Sequence, residues 1–528
     1  MKKFYSLCFA VFTICNVSFS QTGNLDSSFG KNGQVITDVS AQPDYLNSGA
    51  LQPDGKIIAV GSSGYPLRNT LVRYKTNGHL DFSFGVNGIS TFQIDAKSSE
   101  ITAVALQQDG KIVATGYSGN TNHQSLSVLR FANNGSIDSS FGKKGVALID
   151  VPKNNLVGTS IAVQPDGKIV VAGSLSRGSS SDPKIGIVIA RFKSNGQPDS
   201  SFNNNGTKFL KPGLGCNAAD ITLLTDGKIL VAGYSYKSYY DSIISFIVIK
   251  LTSDGQPDVS FGEKGIANAR FHGQLFSIVN AIAVQKNGKI IVGGGLEDSY
   301  AAPTDFAIVQ FTKNGTIDSS FGVNGVTRTI LGGNDFVNSL VIQTDGKIIA
   351  AGESQVLGGG TRPAYFALVR YNANGKPDST FGNNGKLTTS FENFSNRQYS
   401  YAKKVLLQPD EKIIALGDAD IKQFNKSVFA LARYLNEAGA KKSDAQNISI
   451  VNKIKISPNP ANNFLQISGL DANAPTLLTI TDRNGNVFKK LSVTSENYSC
   501  NISNLKNGFY YLVAENSNGK SAVFFIKQ

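Results

Sequence analysis

Three observations predict an all-β chain: a seven-bladed β-propeller followed by a small C-terminal β-sandwich. Two short sequence blocks recur in step seven times up to Tyr434. Apolar residues between them alternate with a period of two, where a helical repeat would show 3.6. Beyond Tyr434 the blocks stop, and a different set of short alternating runs closes the chain at Gln528.

The first block is D-x-S/T-F. It stands at Asp26 and Phe29, Asp81 and Phe84, Asp138 and Phe141, Asp199 and Phe202, Asp258 and Phe261, Asp318 and Phe321, and Asp378 and Phe381, with successive Phe residues 55 to 61 positions apart. The second block, "PDGKII" and its variants, carries Lys56, Lys111, Lys168, Lys228, Lys289, Lys347 and Lys412, each with a Gly five residues on. A strand of the type "LVRY" follows, with Arg73, Arg130, Arg191, Arg370 and Arg433, and with Lys250 and Gln310 in the two remaining units. Self-similarity at a fixed period is the mark of a repeat architecture.

In the second unit, residues 88–94, 101–107, 111–117 and 126–131 read as four strands. Asp-Gly between alternating apolar runs signals a hairpin, because Gly accepts the positive φ of a tight turn. Four short strands per unit is the pattern of a propeller blade. The D-x-S/T-F block then falls between the fourth strand of one unit and the first of the next. Its Asp and Ser hold a turn through nearby amides. Its Phe buries between blades, worth roughly 1.5–3 kcal/mol. The block therefore reads as an inter-blade staple, and Asn-Gly pairs such as Asn87-Gly88 turn the chain into the next blade. The first staple has no blade before it, and the seventh "ARY" strand has no staple after it. The count balances if the N-terminal staple completes the seam beside blade seven, which also removes open strand edges.

Residues 1–20 read as a secretory signal peptide: Lys2 and Lys3, an apolar stretch, then small residues before Gln21. The ring is expected over 21–435, a polar linker over 436–452 and the sandwich over 453–528. No later apolar run approaches the roughly 20 residues that span a bilayer, so no transmembrane segment is expected. Cys216 and Cys500 remain after the leader and read as free thiols. The formal charge of +13 permits attraction to acidic glycans, nucleic acid or lipopolysaccharide. Without a long basic run it reads as ordinary surface charge, and no nucleic-acid partner is expected.

Catalytic signatures are missing. The three His residues hold different places in their units, no Cys/His cluster has zinc spacing, and there is no His-Glu-x-x-His. One carboxylate per staple is a poor Ca²⁺ ligand set. No catalytic residue, metal or cofactor is expected. The hairpin Lys residues could form a cationic crown, or simply be solvated at a sheet edge. Binding is expected on the face with variable connections, since loops on a rigid scaffold carry function. The Tyr-rich loop with Tyr234, Tyr236, Tyr239 and Tyr240 is the candidate, able to stack on sugars or pack on a protein.

The C-terminal 75 or so residues resemble the type A C-terminal sorting domain of the type IX secretion system of Bacteroidota. The matching residues are Pro458-Asn459-Pro460 with Leu465, Asp482 with Gly485, Gly508-Phe509-Tyr510, and Lys527. Phe509 departs from the usual Ile or Val. The resemblance implies Sec export, then passage across the outer membrane by the type IX machinery, with release or anchoring at the surface. The ring is similar to the delta-60 repeat family through its "LDSSFG" and "QPDGKI" blocks. Blade seven departs, with Glu411 in place of the turn Gly and hence a different turn type expected. The expectation is a secreted or surface binding scaffold, an adhesin or glycan- or protein-binding module, and not an enzyme. The alternative is an extracellular hydrolase or lyase acting on polysaccharide, which would need carboxylates, His or Tyr converging from unequal blades.

Overall fold

The computed structural model describes residues 22–94, 98–120, 123–177, 184–236, 244–270, 276–298, 302–356, 363–391, 399–421, 424, 426–436, 454–470, 472, 474–481, 487–516 and 519–528. The signal-peptide and linker assignments therefore fall outside it, apart from Asn436. The chain divides into two compact units, Met1–Gly439 and Ala440–Gln528.

The first unit is a ring of seven four-stranded antiparallel blades, of which the second and third are joined into one eight-stranded sheet by a parallel bridge between Gln124 and Asn155. Blade one runs outward from Asp44–Leu51 through Ile57–Ser63 and Arg68–Tyr74 to Ile89–Phe92. Blades two to six begin at the inner strands Ser99–Leu106, Asn154–Val163, Gly215–Leu223, Phe276–Val284 and Gly333–Ile342. Each inner strand touches the next around the ring, and the last touches the first.

Strand phase differs from the sequence expectation. The segment read as the first strand of unit two, Ile89–Phe92, pairs with Arg68–Tyr74 and is the outer strand of blade one. The staple is thus the turn between the third and fourth strands of one blade, and Asn87-Gly88 turns the chain back onto that blade. A period near 60 residues fixes the unit length but not where a blade is cut from it. The two tight connections still share one face, and the two variable ones share the other.

Blade seven shows how the ring closes. Its strands Ser400–Leu407, Ile413–Ile421 and Lys426–Tyr434 are completed on the outside by Gln34–Thr37 from the chain's beginning. Gly23 and Asp26 donate backbone hydrogen bonds to Leu435 and Arg433, at 2.6 and 2.8 Å, and Leu435 donates to Asn24 at 2.8 Å. The third-to-fourth turn of blade seven is therefore made from two separated pieces. Asn436, assigned by sequence to the linker, is buried in this turn and bound by Arg370 of blade six at 2.8 Å.

The seven hairpins share one geometry. In blade one, Gly55 (φ +81°) donates to Gln52, and Asp54 accepts from the Lys56 amide at 3.2 Å. In blade seven Glu411 adopts φ +64° and makes the same bond to Gln408, so the turn type is unchanged by the missing Gly.

The second unit stacks two antiparallel sheets, of three and four strands, over a core that includes Leu465, Ile480, Leu512 and Phe525. Pro458, Asn459 and Pro460 are exposed, and the Asn459 side chain accepts the Ile526 amide at 2.9 Å. Gly508 opens the strand Gly508–Asn516. This motif therefore holds the closing strand in place. Cys216 and Cys500 are buried free thiols, one in each unit.

Candidate functional site

The repeated residues converge on one knot per blade. At Asp199 the carboxylate accepts the amide and hydroxyl of Ser201 at 3.2 and 2.8 Å, and pairs with Arg191 at 2.8 Å and Lys168 at 3.4 Å. Arg191 also donates to Ser201 at 2.9 Å and to the Ser253 carbonyl of the next blade, and lies 4.9 Å over the Phe202 ring. Burial works to raise the Asp199 carboxyl, but the Ser201 bonds and the two cations outweigh it and hold it at about 2. Asp26, Asp81 and Asp378 are likewise held at about 2. Asp138, Asp258 and Asp318 are lowered too.

All seven staple Phe rings are buried, each in a core shared by its own blade and the next; Phe29 lies between blades seven and one. A glycine from the next blade covers the ring: at Gly135 (φ +87°) a Cβ would stand 2.8 Å from Phe84. Six hairpin lysines reach a staple Asp at 2.6–3.4 Å, and Lys111 pairs with Asp109 at 2.5 Å. These lysines, about a third exposed at the sheet edge, are paired with carboxylates rather than grouped as a crown of free cations. Grooves of about 640 to 790 Å³ run along the perimeter between neighbouring staples and outer strands at three places around the ring.

The inner strands on the variable face are different. Where the chain leaves the repeated Gly of the second strand, the seven blades carry Ser62, Tyr117, Ser174, Tyr234, Gly295, Glu353 and Asp418. Their cross-strand partners are Tyr45, Glu100, Val157, Asn217, Ile278, Phe336 and Tyr401. Acidic and tyrosyl residues thus gather in blades six, seven, one and two. Between each pair of rows the inner strand bulges by one residue. In four blades the bulge ties its blade to the next: Asn47 donates to Ile101, Thr102 to Gly158, Asn280 to Val337 and Asn338 to Ala402, at 2.6–3.0 Å.

Within this arc, Glu100 accepts from Asn47 at 2.6 Å and from Tyr117 at 3.1 Å. Glu353 lies 3.8 Å from the Lys403 ammonium, which sits 4.9 Å over the Tyr401 ring. Tyr399 stacks on Tyr401 with centroids 6.2 Å apart. Asp420 accepts from Ser427. Asp418 is 5% exposed, and burial together with the charges of Asp420, Glu353 and Glu100 pushes its carboxyl up to about 7 against the pull of Lys403. Such a group carries its proton near neutral pH, which suits hydrogen-bond donation or proton transfer.

Sequence reading missed this arc. Its signal was present in the residue after each repeated Gly, which varies in charge and size while the Gly does not. Of the tyrosines singled out, Tyr234 and Tyr236 end the second strand of blade four, both half-buried. Tyr234 occupies the same ring position as Tyr117, Glu353 and Asp418. Tyr239 and Tyr240 lie outside the described residues. Among the described residues no three carboxylate, His or Cys side chains are placed to share a metal ion.

Residues 455–528 match the family described as the secretion system C-terminal sorting domain. Segments 52–84, 107–141, 164–202, 224–261, 285–321 and 343–381 match the beta-propeller domain of unknown function DUF5122. This chain is a β-propeller protein with a type IX secretion sorting domain. Each DUF5122 segment runs from a hairpin to a staple Phe and so spans a hairpin, two strands and a staple. The seventh such set, divided between Gln408–Tyr434 and Thr22–Phe29, is not contiguous in sequence and is not among the six. The sorting domain implies export to an extracellular or cell-surface location. No helix among the described residues is long and apolar enough to cross a membrane.

No curated protein matches the chain. Among solved structures, PorZ, described as a surface component of the type IX secretion system of Porphyromonas gingivalis, is 14% identical with a TM-score of 0.37. That likeness covers 94% of this chain and 60% of PorZ. The polysaccharide lyase Uly1 is 10% identical with a TM-score of 0.41, covering 77% and 93%. The β-propeller domain of the Trilobed protease from Pyrococcus furiosus is 12% identical with a TM-score of 0.37, covering 77% and 100%. Scores this low carry no functional argument.

Proposed function

We propose that the chain is a delta-60 repeat propeller, carried outside the cell by the type IX machinery, that works there as a binding scaffold. Its partner is an extracellular glycan or protein, and its ligand site is the arc of Glu100, Glu353, Asp418 and Asp420 with Tyr45, Tyr117 and Tyr401. One observation carries this reading: seven near-identical blades depart from each other most in chemistry at one rim, and there the polar and aromatic residues gather on four adjacent blades. Carboxylates beside tyrosine rings suit sugar recognition, with hydroxyls bound by the acids and ring faces stacked on the phenols. Tyr234 and Tyr236 extend the aromatic surface toward blade four.

A second reading, an extracellular hydrolase or lyase, is favoured by Asp418, whose proton is held to about 7. That is the property of a general acid or base working near neutral pH. A glycan array probed with residues 22–528 and with Asp418→Asn tests the first reading, with arc-dependent retention as the expected result. Release of new reducing ends or unsaturated sugars from a polysaccharide panel, lost in the same variant, would instead establish the enzyme.

A further inference from the structure

The scaffold carries excess positive charge, +13 over the chain, yet one arc of its inner rim gathers Glu100, Glu353, Asp418 and Asp420 around a single cation, Lys403. The contrast with the staples is direct. Every staple Asp has at least one Lys or Arg within 3.0 Å or slightly more. In the arc, Glu100 is met by an amide and a phenol, and Asp420 by a hydroxyl. Among the described residues, the carboxyl of Asp418 has neither a hydrogen bond nor an ion pair, although the residue is 95% buried by the complement of its 5% exposure. Lys403 is the nearby cation, and it is held by Glu353 and by the face of Tyr401.

Resting on the arc as the ligand site, we propose that it selects a ligand bearing a primary ammonium group. Three features point to this chemistry. Four carboxyl groups share one ammonium, that of Lys403, and a further cation relieves their mutual repulsion while a neutral sugar does not. Among the described residues no three of these carboxyl groups are close enough to share one metal ion, and a guest that bridges them is a larger organic cation. The Lys403 ammonium, 3.8 Å from a carboxylate and 4.9 Å over a phenol ring, already shows the contact pattern that such a guest would repeat on neighbouring blades.

The groups facing Asp418 set the pH response. They are Asp420 on its own strand, Tyr401 and Lys403 on the adjacent inner strand, Glu353 from blade six, Glu100 from blade two, and Tyr45 from blade one, itself under the charges of Asp418, Asp420 and Glu100. A bound ammonium favours the ionised carboxyl, so binding releases a proton and strengthens as pH rises.

The ammonium can come from an amino sugar or from a lysine side chain. Titration calorimetry of residues 22–528 with a β-1,4-linked glucosamine tetramer and with tetralysine at pH 6, each beside its N-acetylated counterpart, separates the two. At least one free-amine probe is expected to bind about tenfold or more tighter than its acetylated form. Asp418→Asn, nearly isosteric, and Glu353→Gln are each expected to weaken that binding about tenfold, and tetralysine binding to tighten between pH 5.5 and 8. Melting curves confirm that each variant is folded. Equal affinity for free and acetylated probes, or affinity untouched in both variants, overturns the ammonium inference. A glycan array whose binding depends on the arc but ignores acetylation overturns only this inference; an array retaining nothing, together with no binding of tetralysine or its acetylated form, overturns the scaffold reading beneath it.

Discussion

The staple face and the axial arc are built on the same seven blades, yet they obey opposite rules. At the staples, seven copies keep one arrangement of Asp, Ser or Thr, Phe and a cation, and every carboxylate is neutralised. At the arc, equivalent positions hold Ser, Tyr, Gly, Glu and Asp, and the carboxylates stand together. Repetition therefore marks what holds the ring, and departure from it marks where the ring can discriminate. The same distinction governs electrostatics: staple carboxyls are held low and the arc carboxyl of Asp418 is held high.

The largest test of the staple rule is the closing seam, where the outer strand and staple come from the chain's other end. Deleting residues 22–37 removes the outer strand of blade seven, the Asp26 partner of Arg433 and Lys412, and the Phe29 ring between blades seven and one. Loss of the cooperative melting transition, with aggregation through the opened edge, is expected. A deletion that melts like the parent would show that closure does not hold the ring.

Next in size is the ring within a seam. Phe202→Ala is expected to cost about 3–5 kcal/mol in denaturant unfolding, because a fully buried side chain leaves a cavity between blades three and four. The ion pair adds a graded comparison. Asp199→Asn leaves the buried Arg191 short of its charge partner and is expected to cost about 3 kcal/mol. Asp318→Asn is expected to cost about 1 kcal/mol, since blade five has Gln310 in place of the Arg and its Lys289 is more than a third exposed. Equal costs would remove the buried guanidinium from the account. The pH course follows from lowered pKa values. Native staple carboxyls near 2, against about 4 in the unfolded chain, stabilise fully above pH 5, and that stabilisation is lost as pH falls through about 2.

Asp418 reverses that sign. Its native pKa near 7 lies above the unfolded value, so the folded state holds the proton more tightly and loses relative stability as pH rises from about 4 to 7. Asp418→Asn mimics the protonated acid. It is expected to match the parent at low pH and to exceed it by about 1–3 kcal/mol at pH 8, read from melting curves across pH. Equal stability of the two proteins at pH 8 would mean that the carboxyl is not strained by its neighbours.

The repeat, the propeller and the sorting tail could be read from sequence because they rest on residues spaced at a fixed period or in a compact motif. The phase of the blades could not. Ile89–Phe92 alternates like any strand, and only its pairing with Arg68–Tyr74 assigns it to blade one. The arc was hidden for a related reason. Glu100, Glu353 and Asp418 lie more than sixty residues from one another, and only ring closure brings blades six, seven, one and two side by side. Searching for chemistry in what repeats passes over residues defined by failing to repeat.

The smallest expected effect compares one hairpin with the other six. Glu411 holds φ +64°, where the other turns have Gly, and a non-Gly residue there costs about 1 kcal/mol. Its carboxylate recovers part of that cost by accepting from the Thr344 hydroxyl of blade six at 2.8 Å. Glu411→Gly should therefore change stability by less than about 1 kcal/mol in the parent, because relief of backbone strain and loss of the inter-blade bond nearly cancel. On a Thr344→Ala background only the longer bond from the Gln343 side-chain amide, at 3.4 Å, still opposes the relief, and the same substitution should stabilise by about 1 kcal/mol or slightly less. A double-mutant cycle by urea unfolding measures the difference. No coupling between the two sites would mean that the departure in blade seven is carried by its own backbone alone, and not by its neighbour.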